Sequence, residues 1–309
     1  MTTLRMPISG LMLVAHLAAF GVGVALDSAG ERAFLGYDPD SLELEPHIET
    51  NATTDRVAEC VRQTTLDCEP VVQADLAPGR PVLWARFTDN QRGPVALQCR
   101  EALLDEAEAT SRALAPQLAA GLGAPAAWLT KGKSSWGASQ LDGVAGNSTS
   151  DFVRGVLRRT LPVARDATAA QLETLWLASD PPSPEEPDKT GWAPPGVRVH
   201  PLHQWLAALG LTQLPVALAA AERSRTPCFW RRGQRRGVRL PVSQVPISMP
   251  RLRALLQSPE LTASELTQAG QARLRALGVE GVLEFPLIDQ TTGNMVQFAF
   301  GRARWIELT

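Results

Sequence analysis

The sequence is poor in the residues from which catalytic and metal sites are built. It has four histidines and four cysteines among 309 residues. Cys60 and Cys68 are eight positions apart and have no histidine at ligand spacing, so we expect no zinc site. His200 and His203 lie at a helix entry without an accompanying carboxylate or thiolate, and no G-x-S-x-G segment suggests a triad hydrolase. Scattered thiols of this kind are typical of a reduced, cytosolic protein.

Lysine is also rare, with three residues among the 30 basic ones. A high arginine-to-lysine ratio is typical of GC-rich genomes, so it does not by itself indicate nucleic-acid binding. The distribution of charge along the chain is more informative about binding partners than this ratio is. Residues 200–309 carry 13 basic and 7 acidic side chains, a net +6, whereas residues 1–199 carry 17 and 25, a net −8. This asymmetry suggests that one half of the chain meets an anionic partner.

One apolar run, residues 11–25, allows three interpretations: a buried core helix, a signal peptide or a membrane anchor. It is short for a span, which needs about 20 residues. Its segment LAAFGV at 17–22 recurs as LAALGL at 206–211, and signal peptides are not repeated inside domains. The repeat therefore favours a core helix in a cytoplasmic protein without a membrane partner. Gly21 and Gly210 are expected to end their helices as left-handed caps.

The order of elements predicts an α+β fold of mixed helices and antiparallel hairpins, in two similarly begun halves. Residues 179–195 contain six prolines and four acidic residues, a composition that predicts an extended linker or a long surface loop. We therefore expect an N-terminal α+β domain over 1–178, this linker over 179–195, and a basic α+β domain over 196–309.

A Gly/Ser-rich tract at 130–150 contains two of the three lysines. Lys131-Gly132-Lys133-Ser134 resembles the end of a phosphate-binding P-loop, but the first glycine of that motif falls on Ala127. Nucleotide hydrolysis is therefore not expected. The tract could still hold an anion through its backbone N–H groups, Lys131 and Lys133, with Trp136 stacking on a base.

The strongest functional signal is the segment 223–239, which has seven arginines in 17 residues and no acid. Phe229 and Trp230 lie within it. Guanidinium groups suit phosphate, adjacent aromatics suit bases, and the glycines suit a hairpin tip. If about five arginines contact a single strand, the log–log salt slope of binding is about −3 to −4. The alternatives are a solvated basic hairpin, one paired with the acidic 179–190 segment, and one that docks a protein.

Several segments give the chain a family resemblance. A strand precedes a Leu-rich helix that contains LAAFG, and the segment ALDSAG follows at 25–30. WLAALGL at 205–211 precedes TPCFW at 226–230, the arginine-rich turn, LPVS at 240–243 and ISMPRL at 247–252. In these segments, about a third of its length, the chain resembles proteins of type I-G (formerly I-U) CRISPR loci.

The resemblance implies a subunit or accessory of an RNA-guided antiviral interference complex. Most such subunits bind guide RNA or target DNA without catalysis, and cleavage is left to a helicase-nuclease. Short proteins of these loci are associated with that helicase-nuclease as an extension of it, and the length of this chain suits that group. No helicase Walker motif, paired-His/Asp nuclease motif or Gly-rich loop of guide-processing ribonucleases is found, so neither nuclease nor guide-processing activity carries over.

These observations lead to one main hypothesis and two alternatives. The main hypothesis is that the chain is a non-catalytic protein without cofactor or metal. It would bind nucleic acid, or a ribonucleoprotein that contains other effector subunits. The alternatives are an interaction module for an acidic protein and an enzyme with a pocket under the 130–150 tract. The residues expected to contact nucleic acid in the main hypothesis are Arg225, Phe229, Trp230, Arg231, Arg232, Arg235, Arg236 and Arg239, extended by Lys131, Lys133, Trp136, Arg154, Arg158 and Arg159.

Overall fold

The structure is a computed structural model of the chain. It describes residues 1–38, 41, 43–78, 80–81, 83, 102, 105–110, 114–122, 152–178, 187–188, 190–215, 217–219, 223–289 and 298–309. Within these residues, helices and antiparallel strands combine into an α+β fold, as the sequence predicts.

The first sheet has four antiparallel strands in the order β1-β3-β2-β10. Its strands are β1 (Thr2–Arg5), β2 (Ala33–Tyr37), β3 (Pro46–Thr50) and β10 (Ile247–Ser248). Leu4, Leu35, Ile48 and Ile247 are all buried, so one face of this sheet contributes to the core. The fourth strand comes from the second half of the chain, where Ile247 lies opposite Leu35.

Two repeated helices form the centre of the core. They are α1 (Leu13–Ser28) and α6 (Pro201–Gly210), which continues as a 3-10 turn at Leu211–Gln213. Every residue of α1 from 13 to 26 is buried, so this segment is a core helix, as predicted. The second helix ends at Gly210, and after the 3-10 turn the chain enters strand β6 (Ala217–Ala219).

The two glycines of the repeat do not cap their helices, which corrects the sequence prediction. Helix α1 runs seven residues past Gly21, and Gly210 has right-handed φ and ψ of −58° and −24°. Each glycine instead lies against the backbone of the other helix. A Cβ at Gly21 would be 2.6 Å from the carbonyl carbon of Leu206, and one at Gly210 would be 2.9 Å from that of Leu17. The contact is therefore reciprocal: the first residue of each LAAxG segment meets the last residue of the other.

The remaining helices of the first half surround this pair. Helix α2 spans 20 residues, and it begins with Thr53 accepting a hydrogen bond from the Arg56 N–H. A π-helical turn at Val153–Leu157 leads directly into α4. The bounds are Thr54–Gln73 for α2, Leu114–Leu122 for α3, Arg158–Arg165 for α4 and Ala169–Trp176 for α5. Two short strands, β4 (Asp75–Ala77) and β5 (Arg80–Pro81), pair with each other.

The second sheet belongs to the basic half of the chain. Its order is β8-β9-β11, and both β12 and β13 pair with the other edge of β11. Its strands are β8 (Phe229–Arg232), β9 (Arg235–Ser243), β11 (Val279–Asp289), β12 (Phe298–Phe300) and β13 (Arg304–Glu307). Strand β7 (Arg223–Arg225) pairs with β6 in a separate two-stranded sheet. The helices between β10 and β11 are α7 (Met249–Leu256), α8 (Pro259–Thr262) and α9 (Gln268–Ala276).

The described parts of the two halves share one hydrophobic core. The described end of the 179–195 segment belongs to it, because Trp192 is completely buried and its carbonyl accepts the Val14 N–H. Asp188 holds this end in place by accepting hydrogen bonds from the N–H groups of Thr190, Gly191 and Ala193. These residues therefore pack as part of the fold, and the domain boundaries predicted at 178 and 196 stay a prediction.

Candidate nucleic-acid interface

The arginine-rich segment folds as the predicted hairpin, formed by β8 and β9. Its loop is the two-residue Gly233-Gln234, and Gly233 has φ of +59°. A two-residue loop with glycine first is the sequence requirement of a type II′ hairpin turn. The tight turn places Arg231 opposite Arg236 and Arg232 opposite Arg235.

We refer to these four arginines as the hairpin tip. Arg231, Arg232 and Arg235 are exposed, and Arg236 is partly exposed. Directly opposed side chains in an antiparallel pair have Cβ atoms about 4.5–5.5 Å apart, and like charges in such positions are destabilising. The hairpin tip is therefore a concentrated positive charge that an anion would stabilise.

Glu265 partly neutralises the tip. The Arg232 Nη2 atom lies 2.6 Å from Glu265 Oε1, with both side chains more than half exposed. The Arg231 Nε–H donates to the Gly233 carbonyl at 3.3 Å, which orients this side chain along its own turn. An exposed ion pair contributes little to stability, about 0–1 kcal/mol, so Glu265 can be displaced by a competing anion.

The two aromatic residues of the segment do not form the expected stacking surface. Trp230 is 5% exposed, and Phe229 is partly buried against the core. The indole face of Trp230 is occupied by the guanidinium of Arg239, whose Cζ lies 4.9 Å from the ring centroid. In this conformation the ring already makes a cation–π contact inside the protein, and the stacking role predicted for Trp230 stays a prediction.

Arg239 is likewise a structural residue and is only 4% exposed. Its Nε–H donates to Glu284 Oε2 at 2.8 Å, and its Nη1 donates to the Ala263 carbonyl at 2.6 Å. Arg304 donates to the other oxygen of Glu284 at 2.7 Å. This network joins β9, β11, β13 and the chain after α8. It anchors the base of the hairpin and removes Arg239 from the surface that could contact phosphate.

The predicted basic helix face is also used mainly for internal contacts. Arg158 donates to the carbonyls of Val72 and Ala74 and to Asp75 Oδ1, so it caps the C-terminal end of α2. Arg159 donates to the Gly155 carbonyl and to Gln204 Oε1. None of these contacts involves the hairpin tip.

The other predicted contact residues differ in what the structure says of them. Arg154 is exposed on the π-helical turn, and Arg225 lies in β7 opposite Ala217. Lys131, Lys133 and Trp136 lie outside the described residues, as does the rest of the 130–150 tract.

Two buried histidines are neutral and structural. Burial lowers the pKa of His16 to about 4, and its Nε2 lies 2.6 Å from the Gly10 carbonyl. Burial, with a smaller contribution from His200, lowers the pKa of His203 to about 3, and its Nε2 accepts the Trp176 indole N–H at 2.8 Å. His203 is only 2% exposed. Within the described part of the chain, no three His, Cys, Asp or Glu side chains cluster as metal ligands would.

A cavity of about 280 Å³ lies beside the hairpin, between α8 and α9, and sequence reasoning did not find it. Its lining includes Glu265, the partner of Arg232, together with Glu260 and Arg273. Glu265 is 33 positions beyond Arg232, in a segment without a binding motif. Its proximity to the hairpin arises from tertiary packing, and no local signal in the sequence could have found it.

The fold and the site together define an α+β protein with an anchored, positively charged hairpin. A scan against models of known protein families found no match, and a search of curated proteins found no relative. In the described ranges, no helix has both the length and the apolar character required to cross a bilayer.

Proposed function

We propose that the protein is a non-catalytic nucleic-acid-binding protein that holds backbone phosphates at the hairpin tip. The observation that carries this proposal is the pair of directly opposed Arg–Arg positions, 231/236 and 232/235, at the end of a hairpin anchored by a buried ion pair. Folding alone does not favour two such pairs. Phosphate oxygens between the strands would convert the repulsion into charge-assisted hydrogen bonds.

The resemblance to proteins of type I-G CRISPR loci gives this proposal its context. Guide RNA or target DNA is then the proposed ligand, and other effector subunits or the helicase-nuclease are the proposed partners, in the cytoplasm. The enzyme alternative needs a pocket under the 130–150 tract, which lies outside the described residues, and it stays a hypothesis.

The test is fluorescence anisotropy with labelled 12-mers of single-stranded DNA and RNA, and with duplexes, between about 50 and 200 mM salt. Four phosphate contacts predict a log–log salt slope of about −3 for a single strand. Changing all four tip arginines to alanine is expected to abolish binding. Unchanged affinity in that variant, or no binding by the unaltered protein at the lowest salt, refutes the proposal.

Two matched variants separate charge from geometry. Changing the four arginines to lysine retains the salt slope but weakens binding, because lysine cannot make the bidentate contact with phosphate. Changing two exposed arginines outside the hairpin to alanine leaves the affinity within about two-fold; suitable positions are Arg275 and Arg302.

One observation favours a second candidate, the docking of an acidic protein. The tip already accepts a carboxylate, because Arg232 binds Glu265. A protein partner would co-purify with the chain after nuclease treatment, and the four-alanine variant would lose it. If the protein binds purified oligonucleotides and this binding depends on the tip arginines, the result favours nucleic-acid binding over the docking of an acidic protein.

A further inference from the structure

The cavity between α8 and α9 is directly linked to the hairpin tip. Glu265 belongs to both, since it lines the cavity and accepts the ion pair from Arg232 at 2.6 Å. The cavity therefore adjoins the surface on which the phosphates of a bound strand would lie.

The charges in the cavity are of both signs. Glu260 accepts from Arg273 Nη1 at 3.1 Å and from Ser258 Oγ at 2.5 Å, and its side chain is 10% exposed. The hydrogen bond from Ser258 is the main cause that lowers the pKa of Glu260, so this group is a carboxylate at neutral pH. Two carboxylates disfavour phosphate, but they accept N–H groups, while Arg273 donates to oxygen or nitrogen acceptors.

The volume restricts the occupant further. About 280 Å³ lies just below the range of about 300–1,000 Å³ that is typical of drug-sized ligand sites. A single base fits this size better than a whole nucleotide does. Leu266 and Pro259 add apolar lining for the faces of a ring.

Guanine matches these groups best among the four bases. Its N1–H and N2–H lie side by side and can donate together to one carboxylate, and its O6 and N7 can accept from a guanidinium. Thymine and uracil present one N–H between two oxygens, which a carboxylate repels. Adenine and cytosine each present one amino group beside a ring acceptor.

We propose that the α8–α9 cavity binds a guanine base of a single strand whose phosphates are held at the hairpin tip, with Glu265 as the principal acceptor. The proposal rests on the proposed function. Unstacked bases of single strands are commonly recognised through their hydrogen-bonding edges in this way. Arg232 contacts one oxygen of Glu265, and a carboxylate has about four acceptor positions.

The experiment compares affinities for oligo-dT of 12 nucleotides and for the same strand with one central dG, dA or dC, with a parallel RNA series. One guanine is expected to tighten binding about five-fold or more, the effect of one bidentate base contact, and the other bases less. A preference for guanine in either series supports the proposal. Equal affinity for all strands overturns it while leaving phosphate binding intact. No binding of any strand overturns the proposed function itself.

Substitutions then assign the preference to the cavity. Glu265→Gln removes the guanine preference while binding of plain oligo-dT persists. Glu280→Gln removes the same charge from an exposed position on β11 and should leave the preference unchanged. A guanine preference that survives both Glu265→Gln and Glu260→Gln overturns the assignment.

Discussion

The reciprocal contact between α1 and α6 makes a prediction that depends on both glycines at once. Gly21→Ala and Gly210→Ala each place a methyl group against the backbone of the other helix, nearest to a carbonyl oxygen. Backbone cannot rotate away as a side chain does, so the two helices must separate.

The size of the effect follows from the geometry. The added Cβ atoms would lie 2.6 Å and 2.9 Å from carbonyl carbons of the other helix, whereas carbon atoms pack at about 3.5–4.0 Å. The helices must therefore move apart by about 1 Å, which forfeits up to half of the dispersion energy across their contact. We expect a cost of about 3–4 kcal/mol, at the upper end of overpacking effects. Alanine favours the helix by about 1 kcal/mol relative to glycine. The free energy of unfolding of each variant should therefore fall by about 2–3 kcal/mol.

The double variant provides the sharper result. Once one methyl group has separated the helices, the second finds the space already open and adds its own helix propensity. The loss in the double variant should therefore be about 1–2 kcal/mol, smaller than that of either single variant and far below the sum of the two. The expected coupling is about 3–4 kcal/mol, large for a pair of residues in one contact.

Urea unfolding followed by tryptophan fluorescence gives the three free energies, provided that the slope m stays constant. Gly155→Ala is the control, because nothing lies within 4 Å of a Cβ at this helical glycine and stability should not fall. Additive losses in the double variant, or single variants as stable as the unaltered protein, would refute the reciprocal contact.

Three further predictions concern the buried charges and the hairpin. Because folding lowers the pKa of His16 from 6.5 to about 4 and that of His203 from 6.5 to about 3, the unfolded chain binds more protons below pH 6.5, and stability falls as pH falls. Each histidine should account for a loss of about 2 kcal/mol between pH 7 and pH 5, which a His→Gln variant removes from the unfolding profile and which a flat profile would contradict. Arg231→Glu replaces a like-charged cross-strand pair by an opposite one, so stability should rise by up to about 1 kcal/mol while oligonucleotide binding weakens; a less stable variant would count against the repulsion. Glu284→Gln leaves Arg239 buried without its carboxylate, so unfolding should become easier by about 3–5 kcal/mol, and a loss below about 1 kcal/mol would show that the pair is dispensable.

Features encoded within short segments could be predicted from the sequence. The hairpin turn of the arginine-rich segment and the helix at Leu13–Ser28 both follow from local composition. Features that depend on partners far along the chain could not. Trp230 is buried because Arg239 covers it, and Arg239 is held by Glu284, 45 positions further on.

The repeat of LAAxG shows the same limit. Glycine serves both as a helix cap and as a point of close backbone approach, and the sequence around Gly21 fits either use. Only the position of Leu206 distinguishes them. The same holds for the candidate site, where the arginines were evident but the cavity and Glu265 were not.

The close pairing of α1 with α6 also bears on how the chain is made. About 180 residues separate the end of the first helix from the end of the second. At about 5–20 residues per second, a ribosome needs roughly 10 to 40 seconds to supply the missing partner. During that time an apolar helix with 14 residues destined for the interior lacks the helix that packs against its Gly21. The nascent chain is therefore most prone to aggregation, and most dependent on chaperones, before residue 210 emerges.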